Sequence, residues 1–236
     1  MSAVSDAIDR VIERYGAEAV CTTLEPMLTV ERIARIDAVL AARLASVVTL
    51  VEDTYDPHNA AATIRTTEAL GLQELHVVEP GDERFSAAWG ITRGSHKWIE
   101  LTRWKDPVAA IHALRGRGFR VFATLPGATQ TIEDVDVAAP LAIAFGNEHA
   151  GLSRAAIDAC DGALGVPMFG FSESFNLSVT VGLAMSRLAA RRRAHLRALG
   201  DLSDAKRRHL RAKWFAYKIR GAPEIIERAL GSARTG

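Results

Sequence analysis

Three short stretches hold the side chains best suited to binding and transfer chemistry: Asp56–Arg65, Gly146–Ser153 and Val166–Ser178. The first offers His58, Asn59 and Arg65. An arginine entering a ligand pocket is costly unless it meets a phosphate or carboxylate, so Arg65 either grips a phosphate or pairs structurally with Glu68 or Asp53. The second, Gly146-Asn147-Glu148-His149-Ala150-Gly151-Leu152-Ser153, has two glycines that let backbone approach a ligand. Glu148 there can bond a base edge or a ribose, or simply sit on a surface turn. In the third, an apolar run ends at Val166-Pro167-Met168 and a loop carries Ser174 to Asn176, which sits in capping position for a long helix. Taken alone, that stretch reads as an ordinary strand-to-helix connection.

The familiar nucleotide motifs are missing. No G-x-G-x-x-G follows a strand and no G-x-x-x-x-G-K-[ST] occurs, which argues against a standard dinucleotide enzyme and a P-loop NTPase. Ser153, Ser174 and Ser178 lack a G-x-S-x-G elbow, so hydrolase chemistry is disfavoured. The seven histidines do not cluster with Cys or carboxylates at zinc spacing, and no metal is expected. Cys21 and Cys160 read as idle thiols.

The stretches need a scaffold, and the surrounding pattern supplies one. Apolar runs at Ser46–Val51, Leu75–Val78, Arg120–Thr124, Leu141–Phe145 and Ala163–Val166 read as strands, with Asp56-Pro57-His58-Asn59 as a turn after the first. Between them, Ala60–Leu70, Pro107–Arg117 and Ser153–Ala159 read as helices, and Asn176–Leu199 follows, closed by Gly200. This alternation predicts an α/β domain with a mostly parallel sheet, helices on both faces, and ligands beyond the strands' carboxyl ends. Residues 5–19 and 29–45 predict two N-terminal helices; Ser203–Tyr217 and Pro223–Leu230 predict two more at the other end. The expected divisions are 1–45, 46–188 and 189–236.

With 236 residues, 48% hydrophobic and 24% charged, the chain suits a globular protein. No signal peptide or membrane-length apolar run is evident, so a cytoplasmic location is expected. The net charge of +1 conceals an asymmetry: residues 183–236 hold 14 Lys and Arg against 4 Asp and Glu. Such a tail reads as a polyanion footprint, because lysine and arginine release counterions from phosphates. Trp214, Phe215 and Tyr217 lie among Arg211, Lys213, Lys218 and Arg220, and either stack bases or dock the terminal helices.

Together, the three stretches resemble the motifs of the SPOUT superfamily of RNA methyltransferases, in its 2′-O-ribose branch of the TrmH type. The likeness runs from about Arg32 to Leu188. It implies a deep trefoil knot formed by the C-terminal part of the sheet, a homodimer, S-adenosylmethionine as cofactor and tRNA as partner, with a D-loop guanosine as the expected target. It further implies that Asn59, Arg65, Glu148, Ser174 and Asn176 are catalytic, and that Thr124, Leu125, Gly127, Gly146, Met168 and Leu177 line the cofactor. RNA contacts are expected from His58, Arg65, Arg211, Lys213, Lys218 and Arg220. The alternatives are an rRNA 2′-O-methyltransferase of the same superfamily and a non-catalytic RNA-binding protein.

Overall fold

The computed structural model describes residues 3–54, 56–79, 81, 90, 92 and 94–231. The chain divides into two compact units, one of residues 44–201 and one that combines 1–43 with 202–236. The expected three-part division therefore gives way to two. The long helix α7 (Leu177–Leu196) stays with the sheet to its end, and the two terminal segments share one core.

The larger unit is built on six strands: β1 (Val47–Glu52), β2 (Glu74–Val78), β3 (Glu100–Trp104), β4 (Arg120–Thr124), β5 (Leu141–Phe145) and β6 (Gly162–Leu164). All pairings are parallel, in the order β3-β2-β1-β5-β4-β6. Alternation in β1 explains the layering. Val47 and Val51 face a core with Ala60, Ile64, Val181, Met185 and Leu188, supplied by α4 (Pro57–Ala69) and α7. Val48 and Leu50 face the opposite core, shared with Ile111 and Leu114 of α5 (Pro107–Gly116) and Ala156 of α6 (Arg154–Ala159). Side chains of a strand alternate faces, so a fully buried strand reads as a continuous apolar run.

Three differences from expectation have plain causes. The Asp56-Pro57 pair starts a helix and is no free turn: Asp56 accepts the His58 amide at 2.8 Å and Pro57 takes the first helical position. His58 and Asn59 therefore lie in the first turn of α4. Strand β3 is unexpected, because Glu100-Leu101-Thr102-Arg103-Trp104 is a partly polar edge strand and no apolar run marks it. Helix α7 stops at Leu196, where Arg197 takes φ 52°, and the Arg193 side chain holds the Leu199 carbonyl at 2.7 Å; Gly200 lies beyond.

The smaller unit contains α1 (Ala3–Tyr15), α2 (Ala17–Leu24), α3 (Val30–Ala41), α8 (Asp204–Ala216) and α9 (Ala222–Gly231). The expected helix over 5–19 is broken at Gly16, whose φ of 85° starts a new segment. Ile8, Ile12, Val20, Leu24 and Leu40 form its core with Leu210, Trp214, Phe215 and Ile226. Trp214 and Phe215 thus dock the terminal helices. Tyr217 serves the same unit, with its hydroxyl 3.0 Å from Ser5 Oγ. None of the described helices is long and apolar enough to cross a membrane.

Candidate active site

In an open parallel sheet, ligands gather at the carboxyl ends of the two strands where the chain reverses its direction of travel across the sheet. Here those strands are β1 and β5, neighbours in the sheet, with β2 and β3 outward on one side and β4 and β6 on the other. Asn59 stands in the first turn of α4, just past the loop after β1, and Glu148 in the loop after β5.

These two side chains meet. Asn59, 7% exposed, donates Nδ2–H to Glu148 Oε1 at 2.5 Å. The third stretch joins them, as Asn176 Nδ2 donates to Asn59 Oδ1 at 3.1 Å. Asn176 also caps α7: its Oδ1 accepts from the Ser178 amide at 2.9 Å and from Ser178 Oγ at 2.6 Å. Residues separated by up to 117 positions in the chain are thereby tied into one chain of bonds.

The loop that presents Glu148 is rigid for local reasons. Asn147 and Gly151 exchange backbone hydrogen bonds at 3.2 and 3.1 Å, and Asn147 Oδ1 accepts the amides of His149 and Ala150 at 2.9 and 2.7 Å. A Cβ on Gly146 would fall 1.9 Å from the Gly151 carbonyl carbon, so this glycine serves closure of the turn itself. Below it, buried Glu52 at the end of β1 accepts the Ser153 amide at 2.9 Å, and Ser153 caps α6. Sequence reasoning passes over Glu52 and weighs Ser178 only as a nucleophile. Glu52 ends the β-branched run of β1 as its one carboxylate, and Ser178 stands two residues past a cap asparagine.

Arg65 projects from α4 into solvent, and neither Glu68 nor Asp53 holds it; it has no side-chain partner among the described residues. Ser174 is likewise exposed and without a hydrogen-bond partner among the described residues, and His58 is exposed. No bond ties Arg65, His58 or Ser174 to the Asn59–Glu148–Asn176 chain among the described residues.

Of the expected cofactor residues, Thr124 closes the tops of β4 and β5, donating Oγ1–H to the Ala144 carbonyl at 2.8 Å. Leu125 and Met168 are half-buried, and Gly127 is exposed with φ 72°. Leu177 is buried in the core beneath the site. From Val166 to Phe175, no backbone group has a hydrogen-bond partner among the described residues, although the chain there runs directly on from β6. Such a row of free amides and carbonyls beside half-buried apolar side chains fits a nucleoside-like cofactor, whose base and ribose need both. The described residues contain no group of three or more side chains placed to hold a metal.

Arg211 and Lys213 are held by acids of their own unit. Arg211 grips Asp37 at 2.7 and 3.1 Å and Glu25 at 3.2 Å, while Lys213 meets Asp9 at 2.7 Å. Lys218 and Arg220 are exposed.

The model of the SpoU rRNA Methylase family matches residues 46–186. A tRNA (guanosine(18)-2′-O)-methyltransferase of Borreliella burgdorferi is 34% identical over 95% of this chain and 99% of its own. An enzyme of the same name from Thermus thermophilus is 38% identical over 66% of this chain and 81% of its own. Among solved structures, the A. aeolicus TrmH/SpoU tRNA modifying enzyme superposes with a TM-score of 0.70 at 27% identity, covering 80% of this chain and 96% of that one.

Proposed function

The chain belongs to the SpoU rRNA Methylase family, and from that premise we propose that it transfers a methyl group to the ribose 2′-hydroxyl of guanosine 18 in tRNA. The observation that carries this function is the meeting of Asn59, Glu148 and Asn176 at the reversal point of the sheet, with the unpartnered Arg65 on the same helix as Asn59. The relatives named above supply the nucleotide: they are called guanosine 18 methyltransferases, and one spans nearly the whole chain.

In the transfer, the bond from methyl carbon to sulfur breaks with its electron pair left on sulfur, a bond from that carbon to the ribose oxygen forms, and the hydroxyl proton is released to solvent water. S-adenosylmethionine, when bound, supplies the methyl on a positively charged sulfur. The residues that would hold it are Thr124, Leu125, Gly127, Gly146 and Met168, with the free backbone of 166–175, and Leu177 would contribute at the head of α7. What the chain itself must do is align oxygen with carbon and stabilise the charge that grows on that oxygen, and alignment alone is worth several powers of ten. A guanidinium offers five donors in a fixed fork and holds its proton tightly. Arg65 is therefore a cation that grips a neighbouring phosphate and stabilises the developing alkoxide, in preference to a proton acceptor. Ser174 and His58, exposed beside these groups in sequence, face the RNA.

The finer architecture follows the same family pattern. The loop 125–140 engages both the end of β6 and helix α7: Gly165 is bonded to Gln130 and Ile132, Arg191 to the carbonyls of Ile132 and Val135, and Arg192 to those of Val137 and Ala138. A chain passing beneath such a loop supports the trefoil knot. Phe169 and Phe171 are 98% and 109% exposed, and Val179 and Leu183 on α7 are 46% and 40% exposed. So much apolar surface on one loop and the following helix supports a homodimer. A tRNA substrate supports a cytoplasmic location.

The decisive experiment incubates the protein with unmodified tRNA and S-adenosylmethionine and maps 2′-O-methyl groups. Methylation at guanosine 18 is expected. Methylation of rRNA alone, or RNA binding with no transfer to any RNA, overturns the assignment.

A further inference from the structure

The hydrogen-bond chain at the site has a direction that chemistry forces. At one end stands Glu148, whose carboxylate oxygen accepts, so Asn59 must turn its NH2 toward it. At the other end stands the backbone amide of Ser178, which can only donate, so Asn176 must turn its oxygen toward it. The bond between the two carboxamides then has one possible sense, from Asn176 Nδ2–H to Asn59 Oδ1. Every hydrogen in the chain points toward Glu148. The second lone pair of Asn176 Oδ1 is taken by Ser178 Oγ at 2.6 Å, which leaves this exposed asparagine with one spare N–H and no spare acceptor.

We propose that Glu148 and Ser178 are positioning residues that lock this one-way chain, so that Asn176 meets the reacting ribose only as an N–H donor. The inference rests on the methyl-transfer function proposed above and gives Asn176 a definite part in it. A donor already turned toward the ribose oxygen strengthens as that oxygen loses its proton and becomes anionic, without reorganising at the moment of reaction. Asn176 cannot be the group that takes the proton.

Reversing the chain without breaking it separates this role from structural glue. Asn176→Asp keeps both bonds from Ser178, since aspartate caps as well as asparagine, but sets a second carboxylate against Asn59. Turnover should fall about 10²–10³-fold, the usual cost of one such donor, and Tm should drop. Adding Glu148→Gln puts a carboxamide where the carboxylate stood. That new amide donates to Asn59, and Asn59 donates in turn to the carboxylate introduced at position 176, closing the chain in the opposite sense. The double variant is expected to regain Tm and S-adenosylmethionine binding while kcat stays about 10²–10³-fold down. Recovery of kcat to the level of Glu148→Gln alone overturns the proposal. Glutamine accepts the same bond as glutamate, so a Glu148→Gln enzyme as inactive as Glu148→Ala also overturns the positioning role. Ser178→Ala should lower kcat about 2–10-fold at unchanged KM for S-adenosylmethionine; an unchanged kcat counts against it. A wild-type protein that methylates no RNA overturns the function itself, an outcome distinct from any of these.

Discussion

An exposed arginine gains nothing for stability by standing alone, and Arg65 stands alone among the described residues on the helix that also carries buried Asn59. Replacing it with alanine should leave the fold and S-adenosylmethionine binding intact and lower turnover by about 10²–10³-fold, measured by dialysis binding and single-turnover methyl transfer. Arg65→Lys keeps the charge but loses the planar fork, so its turnover should stay well below wild type at neutral pH. Near-normal transfer by the lysine variant removes the bidentate role. At this scale the sequence is informative where a residue's type restricts its use: Asn59, Glu148 and Asn176 stand out by type and place, and the structure bonds them together. Their partners are legible only in part. Ser178 and Glu52 act through bonds that depend on long-range pairing, which no local pattern encodes.

Among the elements, the sheet edge holds a second polar network. Trp104 Nε1–H donates to His76 Nδ1 at 3.0 Å, which leaves His76 Nε2–H for Glu74 at 3.3 Å, and Arg117 forks onto Glu74 at 2.7 and 2.8 Å. Burial pushes the Glu74 carboxyl up, but the bonds from His76 and Arg117 prevail and hold it at about 2, below its ordinary 4.5. A carboxyl lowered in the folded state stabilises the fold above its unfolded value and loses that contribution as pH falls. Denaturant unfolding between pH 6 and pH 2 should therefore show wild-type stability declining from about pH 4.5 towards 2, with a flatter profile for Glu74→Gln. An identical slope in both proteins shows that the network does not couple to folding. The same edge shows why β3 escapes detection. Only Leu101 and Trp104 of its five residues are apolar and Thr102 and Arg103 break any alternation, whereas β5 is an unbroken apolar run and β1 is interrupted only by Thr49 before it ends at Glu52.

For the whole molecule, the basic tail is real but mostly spent inside the protein. Arg191, Arg192 and Arg193 hold backbone carbonyls, and Arg211 and Lys213 pair with acids. The charges left exposed without a side-chain partner among the described residues of the smaller unit include Arg32, Arg35, Arg208 and Arg220. With Lys218, these are the better candidates for tRNA phosphates. Changing Arg32, Arg35 and Arg208 to alanine should weaken tRNA binding and flatten its dependence on log salt by about 0.7–0.9 for each phosphate no longer neutralised, with Tm unchanged. An unchanged salt slope places the RNA elsewhere. Composition reveals the asymmetry, yet only the partners of each side chain show which charges remain available.

The smaller unit draws its core from both ends of the chain, with Ile8, Val20 and Leu24 packed among Leu210, Trp214 and Phe215. During synthesis the first 43 residues must therefore wait while the 158 residues of 44–201 are made. At about 5–20 residues per second, that delay is roughly 8–30 s. Through that interval the apolar faces of α1 to α3 lack the cover that α8 and α9 later supply. The sheet unit, by contrast, is contiguous in sequence and has all of its residues before the tail is translated. The order of translation thus gives the sheet unit its full sequence before the helical unit has the second half of its core.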